Sequence, residues 1–160
     1  MEMGKYNEKS IDFSKFVVEK FVPHLYNHER YYGYGCGANA LSTITGICPT
    51  AIRNTNKNED DWRDSFMLQF LRKCNYKVIP LTKCNLTNRS YCRKTITTYH
   101  VLLVSSLLKK NEASWQIIYG GYIFHNFEIC QFTNFELFDN PILTAYLIFN
   151  KKWNTRSTLT

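Results

Sequence analysis

A cysteine that opens a helix directly after a glycine is the residue in this chain best placed for covalent chemistry. Cys36 follows Gly33-Tyr34-Gly35 and heads the run CGANALSTIT. Unpaired N–H groups and the helix dipole at a first turn stabilise a thiolate, and the same N–H groups can hold an oxyanion formed on an attacked carbonyl. The plain alternative is a small buried thiol, the usual state of a free cysteine, and it suits Cys48, Cys74 and Cys130. A thiolate nucleophile also needs a base that can return the proton. Of the four histidines, His100 begins the first long apolar strand after a loop, where its ring can sit at a helix–sheet seam. His125 ends another strand, and His24 and His28 lie just upstream of the cysteine.

The surrounding elements must bring such a pair together. Residues 11–22 carry Phe13, Phe16, Val17 and Phe21 near helical spacing before Pro23 stops the run, and residues 24–35 read as a loop rich in Tyr, His and Gly. In the segment 36–45, Ala40, Leu41 and Ile44 form a buried stripe, and Gly46 stands where a left-handed C-terminal residue is wanted. Pro49 opens a helical turn to about Asn54. Residues 60–73 form the clearest amphipathic helix, with Trp62, Phe66, Met67, Phe70 and Leu71 on one face. Asp60 and Asp61 suit its N-terminus, and Arg72 and Lys73 its C-terminus. Strands are then expected at 76–81, 100–107, 115–119, 122–128 and 144–149. Residues 82–97 read as a polar, basic loop, and Gly120-Gly121 as a turn or bulge. Helices followed by an antiparallel meander make an α+β arrangement, a helical layer bearing Cys36 packed on an antiparallel sheet bearing His100. Residues 1–150 are expected to form one domain and 151–160 a basic tail.

At 160 residues the chain has room for one domain with a full core, and its 44% hydrophobic and 16% aromatic content argues for a folded protein. No stretch approaches the ~20 apolar residues of a membrane span. The start MEMGKYNEKSIDF lacks the features of a signal peptide, so the expected compartment is cytoplasmic. There the six cysteines, Cys84 and Cys92 included, stay as thiols, and the sequons at Asn85 and Asn88 carry no consequence. No CxxC pair exists. His24-x-x-x-His28 could present two imidazoles to a metal on a helix, but Pro23 and the Tyr/Gly loop oppose a helix there, so no metal or other cofactor is expected. The net charge of +7 reads as a solvated basic surface in preference to a nucleic-acid footprint. The abundance of Asn, Lys, Ile, Tyr and Phe points to an AT-rich genome, such as a viral or phage one.

Taken in order, Gly35-Cys36-Gly37-Ala38-Asn39-Ala40-Leu41, Gly46-Ile47-Cys48-Pro49, an amphipathic helix, Asn75-Tyr76-Lys77-Val78 and Tyr99-His100-Val101-Leu102-Leu103-Val104 resemble the papain-like peptidases of the C39 type, the double-glycine leader peptidases. The resemblance covers roughly residues 30–126 and implies a papain-like fold and a cysteine peptidase or related thiol hydrolase acting on a peptide or protein substrate. In that reading Cys36 attacks, His100 shuttles the proton, and an Asn or Asp orients the imidazole. Asn126 is the expected orienting residue, with Asp139 in reserve. The family carries a Gln six residues before the cysteine as an oxyanion donor, whereas this chain has Arg30, leaving Asn27 or another donor to substitute. Arg30 supports the alternative, a catalytically silent papain-like domain that binds a partner protein. A thiol acyltransferase or amidase is a third reading on the same scaffold.

Overall fold

In the computed structural model, which describes residues 11–56, 62–81, 97–109, 112–131 and 142–154, the helices precede most of the sheet in the chain. Asp60, Asp61, Cys84, Cys92, the sequons at Asn85 and Asn88, and Asp139 lie outside the described residues. A short helix, α1 (His28–Tyr31), runs through the 3-10 turn Tyr32–Tyr34 into α2 (Cys36–Thr45), followed by α3 (Pro49–Thr55) and α4 (Asp64–Lys73). Glycines bound α2 for backbone reasons. Gly35 has φ 98° and Gly46 φ 82°, and the Gly46 N–H closes the last turn on the Ser42 carbonyl. The start of α1 lies in a segment expected to be loop; the Asn27 side chain caps it by accepting from the Arg30 N–H at 2.9 Å. α4 begins later than the expected residue 60, with Asp64 as the acid of its first turn.

Six strands form one sheet, all neighbours antiparallel, in the order β1-β6-β2-β3-β4-β5. They are β1 (Lys77–Leu81), β2 (Val101–Lys109), β3 (Glu112–Tyr119), β4 (Tyr122–His125), β5 (Glu128–Gln131) and β6 (Ile142–Phe149). The α+β class holds, and the expected meander covers only β2 to β5. β6 enters between β1 and β2, because Ala145 to Ile148 are buried without a break and suit an interior strand, while Pro80 suits the edge. The single strand expected over 122–128 is split. Asn126 (φ 50°) and Phe127 (φ 69°) form a two-residue turn between β4 and β5, and Gly120 (φ 64°) and Gly121 (φ 83°) form another between β3 and β4, so the glycines make a turn and not a bulge.

Both faces of the sheet are covered. Val101, Leu103, Ile117 and Ile148 pack with Leu41, Ile44, Ile52, Met67 and Leu71 of the helices. Leu102, Val104, Ile118 and Leu147 form a second cluster with Phe13 and Leu81 on the far face. Residues 11–22 serve both. Phe13 joins the far cluster, whereas Val18 and Phe21 join the helical one. That division explains why the expected helix reduces to one 3-10 turn, Phe13–Phe16, followed by extended chain whose Val18 and Lys20 N–H groups donate to Tyr99 and Trp153 carbonyls. α4 is tied to β6 where the Tyr146 hydroxyl donates to Asp64; burial first, and that carboxylate second, push the Tyr146 hydroxyl up to about 12. Among the described residues no helix is long and apolar enough to cross a membrane.

Trp62 lies over the first turn of α2, and a Cβ added at Gly37 would stand 2.5 Å from its Cβ and Cγ. Gly37→Ala is therefore expected to destabilise the fold by about 1–3 kcal/mol through overpacking. A urea unfolding midpoint equal to that of the unmodified protein would refute this seating of Trp62.

Candidate functional site

Cys36 occupies the first position of α2, as its glycine-flanked sequence requires. Gly35 supplies no side-chain cap and no acid stands in the first turn, so neither a capping side chain nor a first-turn carboxylate competes for the N–H groups there. The sulfur is partly buried and accepts the Trp115 N–H at 3.2 Å. That N–H is available because pairing between β3 and β4 ends at Ile117–Phe124, two residues short of it. By the alternation of an antiparallel ladder it points toward the side from which β4 has turned away. The Trp115 indole N–H donates to the Trp62 carbonyl at 2.8 Å, so two tryptophans frame the thiol.

His100 is not brought to this thiol. It precedes Val101 on β2, and strand alternation gives it the face of Leu102 and Val104, away from α2. Its ring lies 5.6 Å from that of Phe13 in the far-face cluster, and its Nδ1–H donates to the Phe16 carbonyl at 3.0 Å. Cys36 meets the sheet at Trp115, opposite Ser105, five residues further along β2, or about 16 Å at strand spacing. The expected Cys36–His100 pairing is thus corrected. Its first cause is position along β2, since the head of α2 meets the sheet five residues further along that strand, with the parity of a doubly buried strand as the second.

The imidazole at the cysteine's end of the sheet belongs to His125, the last residue of β4. Its Nε2 shares a 2.6 Å hydrogen bond with Ser114 Oγ, one residue before the Trp115 N–H that holds Cys36. The Asn126 amide Nδ2 lies 3.5 Å from the same Nε2. Burial is the main cause that lowers the His125 pKa, Glu128 opposes it, and His28 adds to it. The ring is accordingly neutral at neutral pH and can accept a proton. Asn126, expected to orient His100, instead stands beside His125 and reaches the helical layer. Its Oδ1 accepts from Asn39 Nδ2 at 3.1 Å, and its carbonyl accepts from His28 Nδ1–H at 2.6 Å. Asn39, fully buried one turn beyond Cys36, also donates to the Tyr31 carbonyl at 3.0 Å, while its Oδ1 has no partner among the described residues. Leaving that oxygen unpaired costs about 1–3 kcal/mol.

The remaining candidates have other occupations. Arg30 is exposed and stacks its guanidinium 5.2 Å over the Tyr31 ring, and Asn27 is committed to capping α1. His24 packs against Gly46, and His28 Nε2 approaches Glu128 at 3.5 Å, so the two histidines serve different neighbours. Among the described residues no three His, Cys, Asp or Glu side chains are grouped to hold a metal ion. Tyr31 is buried and Tyr26 donates to the Gly46 carbonyl, while Tyr32 is exposed. Cys48, expected to be a small buried thiol, stands before Pro49 at the start of α3 and is only partly buried. The Thr50 backbone N–H first, and the Tyr31 hydroxyl next, lower its pKa. Burial raises that of Cys74.

Burial, opposed by the Phe16 carbonyl, also lowers the pKa of His100 from 6.5. Its stabilising contribution is therefore complete above that value and is lost as pH falls through the lower folded value, since the unfolded chain binds the proton first. Unfolding midpoints in urea should drop between pH 7.5 and 5, and His100→Gln should flatten that slope. An unchanged slope in the variant would refute the assignment. No protein-family model and no curated protein matches this chain, so the chemistry of the corner is read from its own geometry.

Proposed function

We propose that this chain is a papain-like thiol hydrolase, a cysteine peptidase or a close relative of one, in which Cys36 is the nucleophile and His125 is the base. The observation carrying this reading is that the Cys36 sulfur, at the start of α2, takes the Trp115 N–H at the corner where His125 and Asn126 leave the sheet. In the reaction His125 Nε2 leaves Ser114 and accepts the thiol proton. The thiolate attacks the carbonyl carbon of a peptide or acyl substrate, and the uncapped N–H groups of the first turn of α2 stabilise the oxyanion. Collapse breaks the bond to the leaving group, which takes the proton from the imidazolium. Water, deprotonated by His125, then hydrolyses the thioester and restores the thiol. No metal or cofactor enters this sequence.

A second reading, a silent domain that binds a partner protein, draws on two observations. His125 Nε2 is engaged by Ser114, and Arg30 is stacked on Tyr31 where the resembling family has a Gln donor.

The two readings separate in a stopped-flow assay with p-nitrophenyl acetate. The hydrolase reading expects a burst of nitrophenolate stoichiometric with protein, acetylated Cys36 by mass spectrometry, and loss of both in Cys36→Ser. His125→Ala should slow the burst by about 100-fold or more, the range for a removed general base, while His100→Ala should change it less than about threefold. No burst, or a burst retained in Cys36→Ser, would favour the silent domain. Acetylation at Cys48 would mark the wrong thiol.

A further inference from the structure

We infer that Asn39 is the positioning residue of the Cys36–His125 pair, acting through Asn126. This inference rests on the reading above. Asn39 lies three residues after Cys36, on the same side of α2, and is fully buried. Both hydrogens of its amide are used. One goes to the carbonyl of Tyr31, in the segment that delivers the chain to Cys36, and the other to Oδ1 of Asn126, beside His125. A single side chain thus ties the entry to the nucleophile, the first turns of its helix and the turn after β4. Oδ1 of the amide is unpaired among the described residues, so Asn39 is held at this buried position for its two N–H donors at the expense of its oxygen. What the amide adds is the fixed place of the turn. That turn needs holding, because Asn126 and Phe127 both have positive φ, a conformation Phe rarely takes. The other end of the Asn126 side chain, Nδ2, lies 3.5 Å from His125 Nε2, a long contact beside the 2.6 Å bond with Ser114, so the amide bounds the imidazole nitrogen that Ser114 holds.

The test is the pH profile, from 5 to 9, of Cys36 alkylation by iodoacetamide, resolved from Cys48 by peptide mapping. His125→Ala should remove the His125 inflection from the profile and slow alkylation by about tenfold on its acid side, where the ring is charged, as for loss of a neighbouring charge worth one pKa unit. Asn126→Ala should give the same altered profile. Asn126→Asp keeps the acceptor for Asn39, so it should retain fast alkylation and move the His125 inflection to higher pH, because the carboxylate favours the charged ring. Asn39→Leu should match Asn126→Ala, and the double variant should be no slower than either single one. If Asn39→Leu melts without cooperativity, the comparison of Asn126→Ala with Asn126→Asp decides, since that residue is only partly buried. The inference is overturned if His125→Ala alters the profile while Asn126→Ala does not, or if Asn126→Asp behaves as Asn126→Ala. If His125→Ala itself leaves the profile unchanged, the Cys36–His125 reading falls and takes this one with it.

Discussion

Because successive side chains of a strand point to opposite faces, and both faces of this sheet are covered, each residue of β2 is committed to one core or the other. Val101 and Leu103 belong to the helices, and Leu102 and Val104 to the far cluster. Burying each such side chain contributes about 1.5–3 kcal/mol. A one-residue shift that turned His100 toward α2 would exchange both sets at once. Even after such a shift His100 would stand about 13–16 Å along the strand from the thiol, so no hydrogen bond to it would offset the four displacements. The placement of His100 is therefore a by-product of its neighbours, and it brings the imidazole to Phe13 and the Phe16 carbonyl.

The other end of the sheet is governed by where β4 stops. Two successive residues in left-handed conformation cost about 1–3 kcal/mol each in a sparsely populated region, less for Asn than for Phe. Contacts from three directions hold them: the Phe127 ring lies 5.8 Å from Tyr26 and 6.3 Å from Tyr31, His28 donates to the Asn126 carbonyl, and Asn39 to its side chain. The return is that β4 ends early enough for the Trp115 N–H to meet a sulfur instead of a strand. Local strain and the seat of the thiol are two results of one turn.

What could be read from the sequence was whatever a single residue type enforces. Glycines at 35 and 46 bracket α2, Pro49 starts α3, Pro80 keeps β1 at an edge, and Gly120-Gly121 reverses the chain. What could not be read was anything set by parity or by a partner. The run HVLLV is apolar at every step after the histidine, so it does not say which residues face the helices. Phe127 is no turn former, and contacts from distant residues, the rings of Tyr26 and Tyr31 among them, hold it in one, so the break between β4 and β5, and with it the place of His125, left no mark. Residues 11–22 looked helical because their phenylalanines are spaced as on a helix, yet those rings serve two different cores.

The Cys-Gly step at the head of α2 carries a lesson of its own. Trp62 rests so close to Gly37 that the helix admits no side chain there. A pair of letters that looks like a chemical signature is thus also the footprint of a large ring on a helix turn. Any chain that parks an indole on the second residue of such a helix will spell a small residue after its first, whether or not the sulfur beside it ever forms a bond. The glycine reports the architecture, and only the neighbours of the sulfur report the chemistry.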